Sequence, residues 1–122
     1  MQSYKDLEIY QLAHKLAVEV HKMTLDNLPK FEMYEEGSQI RRSSKAVASN
    51  IVEGFGRKRY QADYMKFLVY GHSSCDETKE HLELLFETKS LTDKNHYDYF
   101  MEEYDKLSRK INKFLQAFKR EA

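Results

Sequence analysis

Apolar side chains recur every three or four positions along most of the chain, the spacing that gathers them on one face of an α-helix, and no stretch alternates with the two-residue period of a strand. The first such segment begins near Asp6. Leu7, Tyr10, Ala13, Ala17, Val20 and Thr24 make one stripe, Ile9, Leu12, Leu16 and Met23 widen it, and it ends before Pro29. A loop from Leu28 to Gly37 holds Phe31, Met33 and Tyr34, and Ser38 is predicted to cap a second helix whose stripe is Ile40, Val47, Ile51 and Phe55. Gly54 and Gly56 then read as a stop, because glycine can take the left-handed conformation that closes a helix C-terminus. A third helix is predicted from about Tyr60 to Lys89, with Tyr64, Phe67, Leu68, Gly71, Ser74, Cys75, Thr78, Leu82, Leu85 and Phe86 inward. Thr92 reads as the N-cap of a fourth, in which Tyr97, Phe100, Met101, Tyr104, Leu107, Ile111, Phe114 and Phe118 carry the periodicity to the end of the chain.

Short connections make sequential helices antiparallel, so four amphipathic helices in this order predict an all-α, up-down-up-down four-helix bundle filling one domain over residues 1–122. Composition agrees: one proline, four glycines and 33% charged residues suit helices better than sheet. The single Cys75 cannot form an internal disulfide and has no zinc-binding spacing, which is compatible with a reducing compartment. No apolar run reaches membrane-spanning length and the opening MQSYKDLEIY lacks a hydrophobic signal region. A soluble cytoplasmic protein with no membrane partner is therefore expected.

The formal net charge is zero, but the charges are unevenly placed. Residues 39–59 carry six bases and one acid, residues 76–105 three bases and ten acids, and residues 106–122 six bases and one acid. Arg41, Arg42, Lys45, Arg57, Lys58 and Arg59 are the candidate nucleic-acid-binding residues, since such cations contact phosphates irrespective of sequence, with Tyr60 a candidate for stacking on an unpaired base. The same charges could instead join identical subunits through complementary patches, or be solvated helix faces. Ser43, Ser44, Ala46, Ala48 and Ser49 are small and let another helix come close. Asn50, Glu53 and Gly54 are candidates for holding the turn up to Arg57 or a subunit contact, because a buried amide left unpaired costs about 1–3 kcal/mol.

Enzymatic chemistry finds little support in the residues. A carboxylate-bridged di-metal bundle needs paired Glu-x-x-His motifs, and only His96, three residues after Asp93, has an acid at that position. His14 and His21 share a helix face but two such histidines are commonly packing groups. Cys75 lies near His72 and Asp76, yet it falls on the apolar stripe and reads as buried and inert. No catalytic residue, metal site or cofactor is assigned. Phe31, Met33 and Tyr34 offer a different reading, a non-enzymatic scaffold that binds protein, since aromatic residues are enriched at interfaces.

Gln39-Ile40-Arg41-Arg42-Ser43, followed by Ser49-Asn50-Ile51-Val52-Glu53-Gly54-Phe55-Gly56-Arg57, resembles the signature QLRRAAxSIPSNIAEGFGR of the four-helix bundle proteins encoded in the intervening sequences of bacterial 23S ribosomal RNA genes. Asp6-Leu7-Glu8-Ile9-Tyr10-Gln11-Leu12-Ala13 is similar to that family's DLxVWQxA opening, and the stretch from Phe67-Leu68 through Glu77 to Leu82 resembles its third helix. The departures are Ala48 for a frequent proline, Tyr10 for tryptophan, Ser73 for a common glycine and Lys79 for a frequent acid. The resemblance implies a four-helix protomer, a ring-shaped homopentamer and a role in binding RNA or DNA. A related branch, the accessory proteins of diversity-generating retroelements, implies instead work with a reverse transcriptase; that branch is usually more basic than this neutral chain.

Overall fold

Leu7, Ile9, Ala13, Leu16, Val20 and Met23 are buried, and their spacing winds Glu8–Asp26 into the first helix, α1, of this computed structural model, which describes residues 3–121. A 3-10 turn, Tyr4–Asp6, leads into it and is closed by a reciprocal cap: the Lys5 amide donates to Ser3 Oγ and the Ser3 amide to Asp6 Oδ2, both at 3.1 Å. A second 3-10 turn, Lys30–Tyr34, precedes α2 (Glu36–Gly56), and α3 (Gln61–Glu87) and α4 (Lys94–Glu121) complete the order. Each helix packs on its predecessor and α4 returns to α1, consistent with the up-down bundle that the periodicity predicts. At 1.5 Å per residue α3 runs about 40 Å, the full length of the bundle.

The core holds the predicted stripes. Ile40, Val47, Ile51, Leu68, Leu82, Leu85, Tyr104, Leu107 and Ile111 are fully enclosed, while Phe67, Ser74 and Phe86, expected inward, are half-buried. Small residues bring α2 and α3 together: Ser43 and Ser44 are buried, and the Ser43 and Thr78 hydroxyls lie 2.9 Å apart across the seam. At Gly71 an added Cβ would already stand 3.6 Å from the Val47 carbonyl oxygen.

Four local expectations are corrected. Ser38 does not cap α2; it lies within the helix, its amide bonded to the Glu35 carbonyl. The cap comes from outside, because the 3-10 turn folds the Glu32 side chain over the helix start, where Oε1 accepts from the Gly37 amide (3.3 Å) and Oε2 from the Ser90 hydroxyl (2.5 Å). Glu32 is 4% exposed, and these bonds compensate a carboxylate taken from water. Gly54 is not a left-handed terminator either: α2 continues through it to Gly56, and no described glycine has a positive φ. Its lack of a side chain serves contact, since a Cβ there would meet Tyr64 Cδ1 at 3.1 Å and Phe67 Cβ at 3.2 Å. At the fourth helix the cap is Asp93, one residue past Thr92, whose Oδ1 accepts from the Asn95 (2.9 Å) and His96 (3.3 Å) amides. The third helix stops at Glu87, two residues early, and Lys89 turns the chain with φ 67°. Ala122, the expected end of the fourth helix, lies outside the described residues.

Candidate functional site

The six bases singled out in the sequence separate into three groups. Arg41 is half-buried and turned toward the fold: its guanidinium donates to the Met33 carbonyl at 2.5 Å and to Thr24 Oγ1 at 3.0 Å, fastening the 3-10 turn to α1 and α2. Arg42 and Lys45 are exposed, with no hydrogen bond or ion pair to any described residue. They sit on the first half of α2, and Lys45 is about 18 Å along the helix from Arg57 at the 1.5 Å rise. Arg57, Lys58 and Arg59 form the turn between α2 and α3, so they do not share one surface with Arg42 and Lys45.

That turn is built from its own backbone. The Arg57 amide donates to the Gly54 carbonyl, Lys58 to Phe55 and Tyr60 to Arg57, at 2.8–3.1 Å. Arg57 is partly neutralised: Nε lies 3.4 Å from Glu53 Oε2, Nη1 lies 3.9 Å from Asp63 Oδ2, and the guanidinium stands 4.9 Å from the centroid of Phe67. Lys58 Nζ rests 4.0 Å over the Phe55 ring, a contact that leaves its charge unpaired. Arg59 has no partner among the described residues, and Tyr60 beside it is 63% exposed. Glu53 thus contacts the turn through Arg57, whereas Asn50 donates Nδ2 to the Ala46 carbonyl of its own helix (2.9 Å) and packs beside Gly71.

The structure adds cations that sequence position alone leaves far away. Gln61 Nε2 donates to the Phe118 carbonyl at 3.2 Å, which sets the last turn of α4, with exposed Lys119 and Arg120, beside the start of α3. Tyr64 joins the two elements: its ring lies 6.4 Å from Phe55, 5.9 Å from Phe114 and 5.0 Å from Phe118. Burial pushes the Tyr64 hydroxyl up to about 12, so it stays neutral here. Phe55 and Phe118, half-buried in this cluster, are packing residues. The signal for Lys119 and Arg120 was available as the basic run 106–122, but its nearness to Arg57–Arg59 depends on helix length and direction. The opposite end of the bundle, where α3 hands over to α4, gathers the ten acids of residues 76–105.

Other candidates take structural places. Cys75 is buried and its thiol is pushed up to about 12, chiefly by burial. His72 faces Ser108, with Nε2 2.9 Å from Oγ. His81 lies between Glu36 (2.6 Å) and Glu77 (3.1 Å), tying the start of α2 to α3. His14 and His21 both border an open groove between α1 and α2, and no group of three or more metal-ligating side chains occurs among the described residues. Phe31 and Tyr34 are exposed by 63% and 89%. No described helix is long and apolar enough to cross a membrane.

Comparison with known proteins gives the fold a lineage. No curated protein matches the chain. A crystal structure of a protein of unknown function of the S23 ribosomal protein family from Bacteroides thetaiotaomicron is similar, with a TM-score of 0.80 and 19% identity over 88% of this chain and 95% of that one. At that identity the likeness speaks for the fold. The sequence pattern of the 23S rRNA-intervening sequence proteins matches residues 5–113, nearly the whole four-helix domain and all of the Gln39–Arg57 signature. The chain therefore belongs to the 23S rRNA-intervening sequence protein family.

Proposed function

We propose that this chain is a non-enzymatic, cytoplasmic nucleic-acid-binding protein, working as a homo-oligomer, that holds RNA at the end of the bundle where the α2–α3 turn meets the C-terminus of α4. The observation that carries the reading is the convergence there of Lys58, Arg59, Lys119 and Arg120, four exposed cations without ion-pair partners among the described residues, around the exposed Tyr60. Cations so placed attract phosphates without reading bases, and an exposed ring beside them offers a face on which an unpaired base stacks. Arg57 assists by shaping the turn, and Arg41 acts inside the fold. Five copies per assembly is what the family resemblance implies, and an apolar groove open to solvent between α1 and α2 favours association of some kind.

The test is binding of a labelled single-stranded RNA followed by fluorescence anisotropy over a salt series. Four neutralised phosphates give a slope of log affinity against log salt of about −3. The variant with Lys58, Arg59, Lys119 and Arg120 changed to alanine should lose most of that slope, while alanine at Arg42 should change it little. Absence of native binding at low salt, or an unaltered slope in the first variant, overturns the reading.

A further inference from the structure

Two surfaces of this chain are complementary, and the bundle itself uses neither. The groove between α1 and α2, about 520 Å³, has a floor of Ala17, Val18, Ala48 and Val52 and a rim bearing Lys22 and Lys45; no carboxylate lines it. On α3, Val69, Ser73, Asp76, Glu80, Leu84 and Glu87 follow one another at three- and four-residue steps, so they form one outward stripe, and all six are exposed. Val69 and Leu84 are 48% and 37% exposed, while Glu80 and Glu87 have no ion pair or hydrogen bond with any described residue.

We propose that the outer stripe of α3 in one copy of this chain seats in the α1–α2 groove of the next, Leu84 on the apolar floor and Glu80 and Glu87 toward Lys22 and Lys45. The choice of a second copy as occupant follows from charge: a basic, apolar groove and an acidic stripe with apolar knobs occur together in one neutral chain. The two surfaces differ, so the contact is head to tail, and each protomer keeps one groove and one stripe for further neighbours. Repetition then closes into a ring or continues as a filament. The inference rests on the oligomer reading above and adds which faces meet.

Charge reversal with light-scattering mass at fixed protein concentration tests it. The native chain should exceed the 14.6 kDa of one copy. Lys22→Glu with Lys45→Glu, and separately Glu80→Lys with Glu87→Lys, should each fall to the single-copy mass while keeping native helical circular dichroism. All four changes together should restore assembly. An oligomeric native chain whose mass neither pair alters overturns the proposed faces and leaves the oligomer reading standing. So does a four-fold variant that stays single-copy when both pairs do. A native chain of single-copy mass overturns both.

Discussion

Replacing Gly37 by alanine sets two opposed effects against each other. An alanine inside a helix is better than glycine by about 1 kcal/mol, and Gly37 is the second residue of α2, so propensity alone makes the change favourable. The new Cβ, however, would stand 2.4 Å from the Glu32 carbonyl oxygen, against about 3.3 Å for an ordinary carbon–oxygen contact. The 3-10 turn must therefore withdraw by nearly an ångström. That turn is held by the Ser90 and Gly37 bonds to the Glu32 carboxylate and by the Arg41 bond to the Met33 carbonyl. Loss of one or two such buried bonds costs roughly 1–3 kcal/mol each. Less the propensity gain, the net expectation is a destabilisation centred on about 2 kcal/mol, or a fall in Tm of roughly 6–12 °C for a chain of this size. Thermal melts by far-ultraviolet circular dichroism at one fixed protein concentration measure it, since assembly makes Tm depend on concentration. Gly56→Ala is the control: nothing lies within 4 Å of its Cβ, so its Tm should stay or rise slightly. A Gly37→Ala protein as stable as the control refutes the packing argument.

Gly54→Ala should fall between the two, near 1 kcal/mol, because Tyr64 and Phe67 need yield only a few tenths of an ångström; a loss as large as that of Gly37→Ala would count against this ranking in parallel melts. Cys75 should resist iodoacetamide at pH 8 in the native protein and react fully in denaturant, since with its thiol pushed up to about 12 roughly one molecule in ten thousand is thiolate; rapid native labelling by mass spectrometry would contradict it. Lys79 is drawn down by burial, but its bond to Asp105 (3.0 Å) and the nearby Asp76 outweigh that and raise it above 10.5. A raised ammonium contributes stability below its unfolded value and loses it as pH climbs through the folded one. The stability gap between the native chain and Lys79→Met in urea titrations should therefore be level from pH 6 to 9 and shrink above about 10.5; a gap that widens there excludes the ion pair as its source.

The bundle was legible in the sequence because helical periodicity is a local signal repeated over many residues: Leu7 to Met23, Tyr64 to Leu85 and Phe100 to Ile111 each announce a buried face. The caps were less so. Ser38 and Thr92 have the right chemistry, but Glu32 and Asp93 hold the positions, and Glu32 reaches the start of α2 only because the 3-10 turn folds back, a tertiary event. Gly54 was recognisable as special and its reason was not, since the Tyr64 and Phe67 contacts lie on another helix. Among the bases, type was readable and environment was not. Nothing near Arg41 in the sequence foretells the Met33 carbonyl, and only the antiparallel return of α4 sets Lys119 and Arg120 next to Arg59.

A protein with as many cations as anions exerts no net pull on a distant polyanion, yet this one carries an excess of bases toward one tip and an excess of acids toward the other. Such a body behaves as a rod-shaped dipole some 40 Å long, which a nucleic acid rotates before it attracts. In physiological salt the field fades over about 8 Å, so this torque acts only during the last nanometre of approach. Encounter rates should then be ordinary, and the benefit of the arrangement lies in pose: the chain arrives with its Arg59 tip foremost, and its acidic tip is turned away from the strand.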